Sequence, residues 1–144
     1  MSHPKIPDLA PGSFHYRRRV QFAETDLAGI VHFSWYFKYM EEAEHALWRA
    51  AGLRIAGGDR GWPRVSAYCE YKQPLRFEDE IDVTVRAGFG RRRIQYGFAI
   101  ARDGRVAATG EVTSVCTRTD PSGALHTVDI PPDIVERLRG ALNR

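Results

Sequence analysis

The feature that most limits how this chain can fold is a block of closely spaced alternating segments between Val65 and Thr117. Apolar and polar residues alternate there with the period of two that a half-buried strand requires. The connections between segments are too short to hold a helix, so neighbouring strands can pair only in antiparallel fashion. Asp103-Gly104 is typical of a tight hairpin turn, because both central residues of that turn need positive φ. The predicted strands are Val65 to Tyr71, Ile81 to Phe89, Ile94 to Ile100 and Val106 to Thr117.

One long helix is predicted ahead of this block, from about Ser34 to Ala51, where helix-forming residues run without Pro or Gly. Ser34 is a candidate N-cap and Gly52 a candidate stop. A strand from Phe14 to Phe22 precedes the helix, and a short helix begins at Pro131-Pro132. This order predicts an α+β hotdog fold, in which a five-stranded antiparallel sheet wraps around one long central helix. The helix should face the sheet with Phe33, Tyr36, Phe37, Met40, Ala43, Leu47 and Ala51.

The length and composition fit one domain. A chain of 144 residues can bury a sufficient core without disulfides or metals, and its 43% hydrophobic and 27% charged residues are ordinary for a globular protein. We expect a flexible N-terminal arm over residues 1–12 and a single domain over residues 13–144. The arm lacks the features of a secretory signal, and no apolar run could span a bilayer, so a cytoplasmic protein without a membrane partner is expected. Cys69 and Cys116 are expected to be plain buried thiols.

A motif at the start of the predicted helix carries a family resemblance. The stretch Thr25-Asp26-Leu27-Ala28-Gly29-Ile30-Val31-His32-Phe33, in its strand-turn-helix setting, is similar to the signature turn of the 4-hydroxybenzoyl-CoA thioesterase family. Tyr36 and Glu41 extend the resemblance, and so does the segment from Tyr71 to Glu80, which is similar to the Tyr-x-x-Pro-x-x-x-x-Asp connection of that family. The similarity covers most of residues 16–117. It implies hydrolysis of an acyl-CoA thioester with Asp26 as the catalytic carboxylate.

The chemistry of a thioester agrees with this site. Its carbonyl carbon needs a base or nucleophile, and its oxygen needs hydrogen-bond donors as negative charge develops. A helix N-terminus supplies amides without intrahelical acceptors, so we expect the backbone N–H groups near His32, Phe33 and Ser34 to polarise the carbonyl beside Asp26. Gly29 lets the backbone approach the substrate closely. Asp26 acts either by direct attack or by activating water, and its alternative role is to stabilise the turn by bonding its own backbone.

Other side chains have two candidate roles each. His32 either orients water, donates to the thioester oxygen or places Asp26, or it is a packed ring at the helix start. Glu41 and Glu44 are reserve catalytic carboxylates, because some other hotdog thioesterases take theirs from this helix. Glu44 falls within the apolar stripe, so as a buried carboxylate it needs a partner.

Two further groups are expected to contact substrate. The resemblance implies that coenzyme A lays its phosphates against basic residues at the strand ends, where Arg91, Arg92 and Arg93 lie, although a solvated charge cluster is the alternative. Trp35 stands where many relatives carry asparagine before Tyr36, so an acyl pocket of a different shape from theirs is expected. Phe33, Trp35, Tyr36 and Tyr68 are candidates to line an apolar or aromatic acyl pocket.

The predicted function is hydrolysis of acyl-CoA to a free acid and coenzyme A, with no metal and no cofactor beyond the coenzyme A of the substrate. Self-association as a homodimer or homotetramer is implied by the resemblance, since the family's active site lies between two subunits. The alternatives are an acyl carrier protein thioesterase, which a net charge of +3 would suit, and a hotdog protein that binds acyl-CoA without cleaving it. Nucleic-acid binding is not expected, because no recognisable module is present.

Overall fold

The computed structural model describes residues 6–143, and this range contains two α-helices, one turn of 3-10 helix and eight strands. The predicted elements are all found, with helix and strand limits that differ by a few residues. In chain order the elements are β1 (Phe14–Arg19), the 3-10 turn (Phe22–Glu24), α1 (Trp35–Ala50), β2 (Arg60–Gly61), β3 (Arg64–Tyr71), β4 (Glu80–Phe89), β5 (Arg93–Arg102), β6 (Arg105–Val115), β7 (Thr117–Thr119), β8 (Leu125–Thr127) and α2 (Pro132–Leu142).

The main sheet has five strands in the order β1-β4-β5-β6-β3, and every neighbouring pair is antiparallel. Asp103 and Gly104 form the predicted hairpin between β5 and β6, with φ of 50° and 76°. The long helix α1 packs on one face of this sheet. The predicted α+β arrangement, a five-stranded antiparallel sheet around one long helix, is confirmed.

Helix α1 packs closely against the sheet. A Cβ atom added at Gly110 of β6 would lie 2.8 Å from the Sδ atom of Met40, so this glycine lets the helix approach. Phe33 differs from the prediction, because it precedes the first helical turn and its side chain is 65% exposed. The buried members of the predicted stripe are Tyr36, Met40, Ala43 and Leu47, and Tyr39, Glu44 and Trp48 are buried beside them.

The predicted final strand is divided in two. Strand β6 ends at Val115, and Thr117 begins β7, which belongs to a second sheet in the order β2-β7-β8. Cys116 marks the break, because its amide donates to the carbonyl of Arg92 and its carbonyl accepts from the amide of Val128. These two bonds lead the chain out of the main sheet, which is why a continuous strand to Thr117 was a wrong prediction.

The N-terminal segment lies along β4 where it is described. Residues 1–5 of the expected arm lie outside the described residues. Leu9 forms an antiparallel bridge with Gly88, and the amide of Ala10 donates to the carbonyl of Ala87 at 2.8 Å. Ala10 is 2% exposed, so the core begins ahead of the predicted domain limit at residue 13.

Neither helix within residues 6–143 is long and apolar enough to cross a bilayer.

Candidate active site

The loop that carries Asp26 is closed by main-chain bonds. The amide of Asp26 donates to the carbonyl of Ile30 at 2.9 Å, and Thr25 bridges Val31. Within the loop, the amide of Gly29 donates back to the carbonyl of Asp26 at 3.0 Å. Gly29 has φ of 80°, a left-handed conformation that glycine adopts without strain. The loop therefore presents Asp26 in a defined orientation at its tip.

The carboxylate of Asp26 is exposed and lines a cleft of about 370 Å³. Its Oδ1 atom accepts the amide of Ala28 at 2.9 Å, so the turn-stabilising role considered from sequence is present. No bond of Oδ2 to another described residue is recorded. One oxygen can therefore hold the turn while the other is available to a ligand. The cleft is lined by Asp26, Ile30, Val31, Phe33, Tyr36, Tyr71, Lys72, Gln73 and Pro74.

The amides at the start of α1 are not equivalent. The amide of His32 donates to the carbonyl of Glu24 at 2.9 Å, and the amide of Ser34 makes a long bond of 3.3 Å to Nδ1 of His32. The carbonyl of His32 accepts from the amide of Trp35 at 2.9 Å. In a trans peptide the C=O and N–H point in opposite directions, so the N–H of Phe33 points away from that bond. It has no recorded acceptor among residues 6–143, and of the three expected donors it is the one left free.

His32 and Ser34 bond to each other. The Oγ atom of Ser34 lies 2.8 Å from Nδ1 of His32, so the predicted N-cap serine bonds this ring and does not cap the helix. With the Ser34 amide also directed at Nδ1, this nitrogen is an acceptor and the proton is assigned to Nε2. The His32 ring packs beside that of Phe33 at 4.5 Å. Four predicted site residues lie in the Asp26 loop or at the helix start but do not line the cleft: Gly29, His32, Ser34 and Trp35.

The wall of the cleft is aromatic. The rings of Tyr36 and Tyr71 meet edge to face at 4.8 Å, and the hydroxyl of Tyr71 donates to the carbonyl of Phe33 at 3.0 Å. Burial, together with the Cys69 thiol, raises the pKa of Tyr71 to about 12, and burial also raises the pKa of Tyr36. Both hydroxyls therefore stay neutral near pH 7.

Tyr68 does not line this cleft, so its prediction as part of the aromatic wall is wrong. Successive residues of a strand point to opposite faces of the sheet. Tyr68 and Tyr71 are three positions apart, so their side chains lie on opposite faces. Tyr68 lines a groove on the far face of the sheet, together with Ile6 and Leu9. Tyr71 was quoted only as part of the second motif, and the same alternation could have identified it.

The three arginines predicted to bind coenzyme A lie at the other end of the sheet. Arg93 pairs with Val115, whereas Tyr71 at the cleft pairs with Ala108. Ala108 and Val115 are seven positions apart along β6, which corresponds to roughly 23 Å. The Nε atoms of Arg91 and Arg92 both donate to Asp129 at 3.0 Å. Within one chain, the structure does not bring the arginines and Asp26 together.

The reserve carboxylates occupy a separate pocket of about 150 Å³ between α1 and β3. Glu44 is 1% exposed, and its carboxylate forms an ion pair with Arg64, which also donates to the hydroxyl of Ser114 at 2.8 Å. Glu41 lies 3.4 Å from the same guanidinium. The partner expected for a buried Glu44 is therefore Arg64.

The prediction of buried thiols is confirmed for Cys116 and only in part for Cys69. Cys116 is buried, Cys69 is half-buried, and both are free thiols whose pKa is raised by burial.

Over the part of the chain that is described, no group of three or more His, Cys, Asp or Glu side chains is arranged to hold a metal ion.

A family model described as the thioesterase-like superfamily matches residues 20–138. A presumed esterase of Aquifex aeolicus is 51% identical over 130 residues, which cover 88% of this chain and 98% of that protein. A 1,4-dihydroxy-2-naphthoyl-CoA hydrolase of Synechococcus elongatus is 27% identical over 109 residues, covering 72% of this chain and 80% of that protein. The solved structure of a gentisyl-coenzyme A thioesterase is similar with a TM-score of 0.77 and 28% identity, covering 86% of this chain and 98% of that one.

Proposed function

The chain belongs to the thioesterase-like superfamily, and from this premise we propose that it hydrolyses acyl-CoA thioesters, with Asp26 as the carboxylate that acts on the carbonyl carbon. The observation that carries the proposal is the shared cleft, which is lined by both Asp26 and Phe33, the residue with the free amide. One group can act on the carbon and the other can stabilise the oxygen. The products are a free acid and coenzyme A.

The amide of Phe33 supplies the electrostatic part of the mechanism. As the tetrahedral centre forms, the thioester oxygen becomes negative, and an N–H at the positive end of α1 stabilises that charge. Asp26 either attacks the carbon to give a mixed anhydride, which water then opens, or takes a proton from the attacking water. In both routes the C–S bond breaks and the thiolate of coenzyme A leaves. Neither route requires a metal or another cofactor.

The aromatic wall supports an aromatic acyl group as the substrate. Tyr71 and Phe33 are exposed rings on which another ring can pack, and the buried ring of Tyr36 packs against Tyr71 behind them. Two of the similar proteins are named for the aromatic acyl-CoA thioesters that they hydrolyse. We therefore place aryl-CoA thioesters first among the candidate substrates.

The edge strand β3 supports a dimer. It pairs only with β6 in the main sheet, and most of its residues are exposed along its length. An exposed edge can pair with the same edge of a second copy across a two-fold axis. Antiparallel pairing would put the Arg64 end of the second copy beside the Tyr71 end of this chain. Arg64 pairs with Ser114 of β6, and the next residue of β6, Val115, pairs with Arg93. Arg64 and Arg93 are therefore at the same end of the sheet, so the arginines of the second copy would approach this cleft.

The decisive experiment measures thiol release from a panel of aromatic and straight-chain acyl-CoA thioesters. Asp26→Asn retains an oxygen that can accept the Ala28 amide, so the loop should keep its shape. We expect kcat to fall about 100-fold or more, because the base or nucleophile is lost. Asp103→Asn, which changes an aspartate in the exposed β5-β6 turn, is the matched control and should behave as the unmodified protein.

Three outcomes would contradict this proposal in different ways. Full activity in Asp26→Asn, combined with loss in Glu44→Gln or Glu41→Gln, would move the chemistry to α1. Turnover of acyl carrier protein thioesters but not of acyl-CoA would change the substrate. Binding of acyl-CoA with no turnover in any variant, measured by calorimetry, would identify a binding protein.

A further inference from the structure

Glu24 is a buried carboxylate that the proposed chemistry does not use. It ends the 3-10 turn two residues before Asp26, and only 4% of it is exposed. A buried carboxylate is costly unless hydrogen bonds compensate it. Three donors do so here: the Tyr39 hydroxyl at 2.7 Å and the Gln21 amide at 2.9 Å reach Oε1, and Arg18 reaches Oε2 at 2.5 Å.

The two side-chain donors of Glu24, Arg18 and Tyr39, belong to a larger cluster. Arg18 also donates to both carboxylate oxygens of Glu42, at 3.0 and 2.8 Å, and its guanidinium lies over the Tyr39 ring at 4.7 Å. Tyr16 donates to Glu42 at 3.0 Å. We call these five residues, Tyr16, Arg18, Glu24, Tyr39 and Glu42, the Glu24 network. It joins β1, the start of the Asp26 loop and α1.

The main chain of Glu24 takes part as well. Its carbonyl accepts the amide of His32 at 2.9 Å, which closes the loop at the residue before Phe33. Its side chain is bonded to Tyr39, about one turn from the start of α1 at Trp35. Glu24 is therefore fixed to both sides of the site: to the loop that carries Asp26 and to the helix start that carries the free amide.

We propose that Glu24 is a positioning residue that sets the distance between the Asp26 carboxylate and the Phe33 amide. This inference rests on the proposed function, since it assigns those two groups to the reaction. Reacting groups must be aligned closely, and a misplacement of about 1 Å can lower a rate about 100-fold. Glu24 acts through the loop and need not touch the substrate.

The test is steady-state kinetics of Glu24→Gln and Tyr39→Phe with an acyl-CoA that the unmodified protein hydrolyses. Glutamine has nearly the same shape as glutamate, but its NH2 group replaces one carboxylate oxygen. That NH2 group is a donor, and it would face the donors that now bond the Glu24 carboxylate. Phenylalanine keeps the ring and removes one bond. We expect kcat to fall about 10- to 100-fold in Glu24→Gln and less in Tyr39→Phe, with KM within about twofold. Glu80→Gln, which removes the exposed partner of Arg19, is the control and should leave both constants unchanged.

A double-mutant cycle separates positioning from general stability. If Glu24 acts by placing Asp26, Glu24→Gln should cost nothing further in an Asp26→Asn background, because the aligned group is already absent. Equal losses in both backgrounds would overturn the inference, and so would a loss confined to KM.

The ionisation that controls kcat/KM at low pH should persist in Glu24→Gln, and its disappearance would instead make Glu24 the reacting carboxylate.

The two proposals fail in different ways. An inactive Asp26→Asn beside a fully active Glu24→Gln would reject the positioning role and leave the proposed function intact. An active Asp26→Asn would reject the assignment of Asp26 itself. If Glu24→Gln does not fold, as judged by circular dichroism, Tyr39→Phe carries the same cycle with Asp26→Asn, and full activity of Tyr39→Phe would then count against the network.

Discussion

At the scale of single residues, the site depends on how a few polar groups divide their bonds. Asp26, which lines the cleft, uses Oδ1 for the Ala28 amide, and its other oxygen bonds no other residue within residues 6–143. Tyr71 directs its hydroxyl at the Phe33 carbonyl and its ring at Tyr36. Each residue thus combines a structural bond with a surface open to ligand. A structural and a functional role are compatible because the two atoms involved are different.

The ionisation of Tyr71 can be tested directly. Its pKa is raised from 10 to about 12, by burial and by Cys69, so the fold favours the neutral phenol. Its contribution to the free energy of unfolding should be complete below pH 10 and should be lost as the pH rises from 10 to about 12. The phenolate absorbance of the unmodified protein minus that of Tyr71→Phe should show this late midpoint. A midpoint at the ordinary value of 10 in the folded protein would contradict the Tyr71 environment described.

At the scale of elements, helix α1 serves both the core and the site. Phe33, just ahead of its N-cap Ser34, provides the free amide, and its second turn contributes Tyr39 to the Glu24 network. Further along, Glu44 faces β3 from inside the apolar stripe and pairs with Arg64. This ion pair connects α1 to the exposed edge strand β3. We expect a second copy to lie beside that strand.

The Glu44 and Arg64 pair makes a prediction about stability. Arg64→Met leaves a buried carboxylate without its charged partner, and the free energy of unfolding should fall by about 3 kcal/mol. Replacing both residues, as Glu44→Met with Arg64→Met, should recover most of that loss, because no unpaired charge is left. Urea unfolding with unchanged slope measures both changes.

The control for that pair is an exposed one. Arg19→Met breaks the ion pair with Glu80, and both side chains are more than half exposed, so the free energy of unfolding should change far less than in Arg64→Met. A double variant no more stable than Arg64→Met alone would contradict the account given for Glu44.

At the scale of the whole molecule, one chain holds two separated halves of the expected substrate site. The Asp26 cleft lies at the Tyr71 end of the sheet, and the arginine turn lies roughly 23 Å away at the Val115 end. A two-fold dimer through β3 is the arrangement that would bring opposite ends together. The proposed recognition of coenzyme A therefore depends on association in a way that the proposed acyl chemistry does not.

Replacement of Arg91, Arg92 and Arg93 by glutamine tests that arrangement. KM for an acyl-CoA should rise about tenfold or more with kcat nearly unchanged, because charge-assisted bonds to the phosphates are lost. KM for the same acyl group on pantetheine, which lacks the nucleotide, should not change. Glutamine at Arg54, Arg86 and Arg137 removes equal charge from other exposed positions and serves as the control. Light scattering should report a dimer, and an active monomer would contradict the shared site.

Much of this protein follows from the sequence alone, because the signals involved are local. Alternation of apolar residues predicted the strands, the uninterrupted run from Ser34 predicted α1, and Asp103-Gly104 predicted its hairpin. Asp26 was proposed because the residues around it resemble a family's signature turn, and the loop that holds it is closed by bonds between near neighbours. Local pattern also indicated that a carboxylate such as Glu44 must have a partner.

Tertiary structure alone decided which groups meet, because those contacts join residues far apart in the chain. The Phe33 amide is singled out because the Glu24 carbonyl accepts the amide of His32 and the His32 ring accepts the amide of Ser34. Glu24 itself passed unnoticed in the sequence, since its partners Arg18 and Tyr39 come from β1 and α1. Arg64 as the partner of Glu44, the second sheet that ends β6 at Val115, and the distance between Arg93 and the cleft are likewise set by strand pairing. Spacing along a sequence reports periodicity, whereas strand order and register determine which distant side chains become neighbours.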